Sequence, residues 1–274
     1  MSRVENKKGK ETNKKKDVVY YIIMAILLCI IGFSGFKVYR IASEYKKGTD
    51  TYNDIASEAG ALIDDSTTTH LDTKLELDWV KLIGKNADAK AWIRCVGTVI
   101  NYPIVQGSDN DYYLTHMFDG TWNVKGTIFI DARCAEPFDG FNTTMYGHRI
   151  NEGSMFACLL EYLEKRDTPF FKEHPTMELY TPSKDYDIQI FGAAIVDARD
   201  EFMYNNNIQD EADKQRYIDW ILNHNSLVGY DNSVSVTTED RLVMMSTCLA
   251  GSDNDNRVVV WGKLVEVDRN ISGN

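Results

Sequence analysis

Nineteen consecutive residues without a charged side chain, 18–36 (VVYYIIMAILLCIIGFSGF), divide this chain into two parts with opposite demands on solvent. As an α-helix the run measures about 28 Å, enough to cross a hydrocarbon core of roughly 30 Å. Arg3, Lys7, Lys8, Lys10, Lys14, Lys15 and Lys16 precede it, and Lys37, Arg40, Lys46 and Lys47 follow. The basic excess ahead of the run predicts a cytoplasmic N-terminus and a body outside the cell membrane. The rival is a cleaved signal peptide. Its apolar region is usually shorter and ends in a small-residue cleavage site, whereas Lys37 and Arg40 stand here. The expectation is therefore a basic tail over 1–17, a single-pass signal anchor over 18–36, a stalk and N-terminal helix over 37–74, and a catalytic domain over 75–270.

Charge sharpens the division. The chain has 30 Lys and Arg against 41 Asp and Glu, a net charge of −11. Residues 1–47 hold eleven basic and four acidic side chains, which leaves nineteen and thirty-seven for the rest. An acidic body is a poor partner for nucleic acid, because binding a polyanion needs a basic face that displaces its counterions. With 43% hydrophobic residues over the whole chain there is enough apolar material for a true core.

Residues 37–58 read as a polar stalk of helical character, and Ile55, Ala59 and Leu62 continue at helical spacing. Turn formers at 64–69 predict a break. Leu75, Leu77, Trp79, Val80 and Leu82 point to a short helix closed by Gly84. Beyond it, nine segments rich in β-branched and aromatic residues predict strands: 91–99, 102–106, 126–131, 142–146, 177–181, 186–196, 234–236, 241–247 and 258–267. Helices fit at 154–163 and at 211–223, where Tyr217, Trp220, Ile221 and Leu222 gather. Eight or nine short strands with helical decoration predict a mostly antiparallel barrel or sandwich.

Of five cysteines, Cys29 lies in the apolar run, and none forms a C-x-x-C pair. Cys95, Cys134 and Cys158 are expected to be small buried or partly buried side chains, with any disulfide pairing left open. Cys248 differs. It ends an apolar segment (RLVMMSTC), a polar loop follows, and a second apolar segment starts near Arg257. Antiparallel neighbours there would bring Cys248 and Arg257 face to face, about 4.8 Å apart at the rim of the sheet. A guanidinium so placed can stabilise a thiolate or an oxyanion. His148, in TTMYGHRI, is the best placed proton carrier, since it also follows a strand. His70, His174 and His224 read as solvated positions, while His116 stays open. Taken singly, Cys248 as a small core residue and Arg257 as a strand-end charge are the commoner outcomes. The run Asp253–Asn256 lacks the glycine and distal glutamate of an EF-hand and reads as a solvated loop.

Together these segments resemble a known family. Ser246-Thr247-Cys248 followed by Arg257 resembles the T-L-x-T-C…R signature of sortases, and Tyr146-Gly147-His148 resembles the segment that holds their histidine. NYPIVQG at 101–107, Tyr112-Tyr113-Leu114, the strand GTIF at 126–129 and a helical insertion at 205–225 are similar to class B sortases. Met244 and Met245 depart from the signature's Thr and Leu. The resemblance spans roughly 75–268 and implies a mostly β fold: an eight-stranded sortase-type β-barrel with N-terminal helices, a helical insertion before the cysteine strand and a transmembrane helix ahead. It further implies a cysteine transpeptidase in which Cys248 is the nucleophile, His148 the acid and base, and Arg257 the oxyanion partner. Tyr146, Ser246 and Thr247 would line the substrate groove.

By the same resemblance, the partners are secreted proteins with a C-terminal sorting motif and an amine of the peptidoglycan cross-bridge or its lipid-linked precursor. No metal and no cofactor are expected. Three alternatives share parts of this reading: a membrane-bound cysteine endopeptidase with water as acceptor, a pilus-polymerising relative that uses a lysine, and a surface receptor in which Cys248 is structural.

Overall fold

The computed structural model describes residues 2–61, 75–163, 170–224, 234–248 and 255–268, with the backbone alone over 2–17. The expected break at 64–69, Leu62, His70 and most of the loop after Cys248 lie outside the described residues. The chain divides into two compact units, Met1–Lys47 and Gly48–Asn274. Helix α1 runs over Ser2–Ala59, so the stalk expected at 37–58 is helical throughout. Within it lies a stretch long and apolar enough to cross a membrane, and its side chains are exposed.

The second unit is a closed barrel. Its strands are β1 (Ala89–Arg94), β2 (Asn101–Val105), β3 (Ile128–Ile130), β4 (Asn142–Tyr146), β5 (Thr176–Tyr180), β6 (Asp185–Asp197), β7 (Leu242–Cys248) and β8 (Asn256–Val267). They close in the order β1-β2-β3-β4-β7-β8-β6-β5. The pairs β2–β3 and β4–β7 are parallel and the other six are antiparallel. Residues 234–236, expected as a ninth strand, are not one. A closed barrel offers no free edge to pair with, and Val234 and Val236 instead pack as partly buried side chains while the Ser235 carbonyl accepts a bond from Lys263 Nζ.

Helix α2 covers Trp79–Lys85 and starts one turn later than expected, because Asp78 caps it by accepting from the Lys81 N–H at 3.0 Å. It runs past Gly84 to Lys85, with Asn86 as its C-cap. After the short helix α3 (Phe170–Glu173), α4 occupies Glu211–His224. Its buried face carries Tyr217, Ile218 and Ile221, while Leu222 points to solvent, so Ile218 takes the place expected for Leu222. The helix expected at 154–163 is a 3₁₀ turn over Ala157–Leu163. It starts late because Met155 is held at φ 58° and the Phe156 N–H donates to the His148 carbonyl.

Strand β7 is buried on both faces from Leu242 to Thr247. Leu242 and Met244 pack with Val259, Trp261, Tyr217 and Ile221 in the layer beneath α4. Side chains alternate along a strand, so Val243, Met245 and Thr247 point the other way, into the barrel. Burial of each large apolar side chain in this layer contributes about 1.5–3 kcal/mol. The layer fixes which face of β7 is covered, and therefore which face Cys248 shares.

Candidate active site

Strand alternation puts Cys248 on the face that Leu242, Met244 and Ser246 bury. Ser246 is still covered, since its Oγ shares a 3.0 Å hydrogen bond with Tyr204 Oη. One alternation further the cover ends, and Cys248 is exposed as the last residue of β7. Across the antiparallel β7–β8 pair Cys248 stands opposite Arg257, as the sequence led one to expect. Arg257 donates through Nη1 to the Asn256 carbonyl at 3.1 Å.

His148 arrives from the other side. Strands β4 and β7 run parallel in register from Asn142 opposite Leu242 to Tyr146 opposite Ser246. The Gly147 N–H donates to the Ser246 carbonyl at 3.1 Å and carries the pairing one residue further. The histidine then leaves the sheet beside the end of β7. Gly147 is required here by close approach: a Cβ on it would lie 2.5 Å from the Phe156 ring. The imidazole Nε2 sits 2.6 Å from the Leu114 carbonyl, which can only accept, so Nε2 carries a proton in this arrangement.

Cys248, His148 and Arg257 line one cleft of about 240 Å³ together with Tyr146, Ser246 and Thr247. Thus all six residues singled out from the sequence converge. Their exposures differ, since Tyr146 is half-buried while Ser246 and Thr247 are buried. Thr247 Oγ1 has no hydrogen-bond partner among the described residues. His116 stays outside the cleft, stacked on Tyr112 with ring centroids 4.0 Å apart.

Sequence reasoning missed the wall of this cleft. Asn110 and Leu114 come from the long β2–β3 connection, and Ala198 and Tyr204 from the segment between β6 and α4. Behind Tyr146 stands Asp131, whose side chain is fully buried. It accepts from Arg133 Nε at 3.0 Å and Nη2 at 2.6 Å, from Tyr146 Oη at 2.8 Å and from Asn110 Nδ2 at 3.2 Å. Burial opposes its charge, yet the Arg133, Tyr146 and Asn110 hydrogen bonds win and hold its carboxyl down at about 2. Burial and the Asp131 charge push the Tyr146 phenol up, so it acts as a donor to the carboxylate. The only sequence signal for Asp131 is its place just after an apolar strand. Arg133 is a local partner two residues on, while Tyr146 and Asn110 are brought to it by the tertiary structure.

The other cysteines of the body are a different population. Burial pushes Cys95 up to about 11 and Cys158 up to about 12, and it also raises Cys134. These thiols are poor nucleophiles for that reason. Among the described residues no three His, Cys, Asp or Glu side chains group as a metal-ligand set.

Comparison with known proteins gives one answer. The family model for the sortase domain matches residues 93–265. Sortase B of Listeria monocytogenes is 31% identical over 242 residues, covering 88% of this chain and 94% of that protein. A Staphylococcus aureus sortase B–substrate complex superposes with a TM-score of 0.70 at 27% identity, covering 82% of this chain and all of that one. A sortase B structure complexed with triglycine gives a TM-score of 0.68 at 27% identity, over 81% and 99% of the two chains. The eight-stranded barrel is thus matched in sequence and in fold, and the chain belongs to the sortase family of cysteine transpeptidases, within it to class B.

Proposed function

We propose that the cell-wall sorting reaction of this family is carried out here by Cys248, His148 and Arg257. The observation that carries this reading is the register of β7, which faces Arg257 on one side and the His148 end of β4 on the other. Sulfur attack from the Cys248 thiolate on the carbonyl carbon of the motif's scissile residue forms the C–S bond and a tetrahedral oxyanion. Arg257 donates to that oxygen, where a positioned donor contributes on the order of 3 kcal/mol. Collapse breaks the C–N bond, and protonated His148 gives its proton to the departing amine. A thioester remains. An incoming amine then attacks it, gives up a proton to His148 and expels the Cys248 thiolate. With Nε2–H engaged by the Leu114 carbonyl, Nδ1 is the ring nitrogen left to exchange that proton.

The acyl donor is a secreted protein with a C-terminal sorting motif, seated against Tyr146 and Tyr204 over the rim of β4 and β7. Ser246 backs Tyr204 through their shared hydrogen bond, and Thr247 closes the floor. The acceptor is an amine of the peptidoglycan cross-bridge or its lipid-linked precursor, a reading supported by the relative solved with triglycine. Residues 1–17 are cytoplasmic, 18–36 form the anchor, 37–74 the stalk and N-terminal helix, and 75–270 work on the outer face of the membrane.

The test is mass spectrometry of the full chain in detergent micelles, incubated with sorting peptides and triglycine beside Cys248→Ala. Thioester and ligated product on the wild type alone support the proposal. Cleavage without amine incorporation makes the protein an endopeptidase, and no Cys248-dependent adduct overturns the assignment.

A further inference from the structure

Lys125 is almost completely buried, 2% exposed, although it carries a primary ammonium in the turn just before β3. A charge in that position is costly unless paired. Its Nζ donates to Thr49 Oγ1 at 2.7 Å and forms an ion pair with Glu152. The contact with the helix is close: a Cβ on Gly48 would lie 2.8 Å from Lys125 Cδ, so the glycine lets the lysine stem cross the helix backbone.

Glu152 sits in the middle of the loop that begins with Gly147–His148. The loop closes on itself, since the Phe156 N–H donates to the His148 carbonyl at 3.0 Å and Arg149 bridges Met155. Met155 is buried in a left-handed backbone conformation, φ 58°, which a non-glycine residue adopts only when its surroundings enforce it. Ser154 Oγ donates to Glu152 Oε1 at 2.9 Å. The segment that carries Lys125 also carries Leu114, and the Thr127 N–H to Tyr113 carbonyl bond of 2.9 Å ties its two limbs together. One connection therefore holds the imidazole, through the Leu114 carbonyl, and the imidazole's own loop, through Lys125.

We infer that Lys125 and Glu152 are positioning residues for His148. The ion pair clamps loop 147–156 against the 48–59 helix and so sets where the imidazole stands over the cleft; this rests on the acid–base role assigned to His148 above. Beside the pair lies a cavity of about 390 Å³, lined by Tyr52, Tyr102, Lys125 and Glu152 among others. It gives the loop room to shift once the pair is broken.

The experiment uses the full chain in detergent micelles with a sorting peptide and triglycine, comparing wild type, Lys125→Met, Glu152→Gln and the double variant. Lys125→Met keeps the stem and removes the charge. Expected is a fall in kcat of roughly 10- to 100-fold in each single variant, with KM within about twofold, because a misplaced catalytic group slows chemistry more than binding. The double variant should be no slower than the slower single one, since both remove the same restraint. In a His148→Ala background, Glu152→Gln should change the residual rate of thioester formation by less than about twofold, as no imidazole remains to be placed. Wild-type turnover in Lys125→Met and Glu152→Gln, or an undiminished Glu152→Gln effect without His148, overturns the inference. Should Lys125→Met fail to fold, Glu152→Gln decides alone, as the glutamate is the more exposed partner. A wild type without Cys248-dependent turnover removes the underlying reading itself, and this inference with it.

Discussion

Tyr146 and Ser246 face each other across the parallel β4–β7 pair, and His148 and Cys248 each follow two residues later. Two segments a hundred residues apart thus deliver an imidazole and a thiol to one level of the barrel rim. A residue inserted in either strand would flip the following side chain to the opposite face, so the register is as much a part of the site as the side chains.

Gly147→Ala tests the hinge between them. The added Cβ meets the Phe156 ring at 2.5 Å, and overpacking of this kind costs about 1–3 kcal/mol. Thermal melting should drop accordingly, and turnover should fall at least about tenfold as the His148 loop is displaced. Phe156→Leu in the same chain should restore part of both.

Arg257→Met should lower kcat by roughly 10²- to 10³-fold with a small change in KM, because its donor matters most when the oxyanion forms. Arg257→Lys should recover little, since an ammonium lacks the planar fork. Steady-state kinetics with a sorting peptide, alongside unchanged melting curves, checks this.

Asp131 gives the body a pH-dependent stability. Its folded pKa of about 2 lies below its ordinary value of 3.8, so the contribution is fully present above about pH 4 and is lost as pH falls toward 2. At about 1.4 kcal/mol per pKa unit the effect is on the order of 2 kcal/mol. Denaturant melts across pH 2–6 should show it, and Asp131→Asn should flatten that slope.

Tyr204→Phe removes the hydroxyl bonded to Ser246 and keeps the ring stacked on Tyr146, with centroids 6.0 Å apart. Stability should fall by about 1 kcal/mol. KM for the sorting peptide should rise more than kcat falls, because the ring pair forms a wall and not the reacting group. Tyr204→Ala, which removes the wall, should raise KM further.

Much of this was legible in the chain itself. The apolar run 18–36, its basic flank, the alternating β-branched strands and the Cys248-to-Arg257 spacing are local patterns, and local patterns set helix and strand directly. That spacing sufficed because two antiparallel strands joined by one loop have little choice of partner. Other features had no such local cause. Val234–Val236 reads as a strand yet finds no edge to pair with, and the 154–163 helix loses its first turn to the strained backbone at Met155. Tertiary structure decides that β4 lies beside β7, that Asp131 gathers Tyr146 and Asn110 in addition to its near neighbour Arg133, and that Lys125 meets Glu152. Except for Arg133, those partners become neighbours only when separate segments fold against one another, and a sequence read along its length carries no signal of which segments meet.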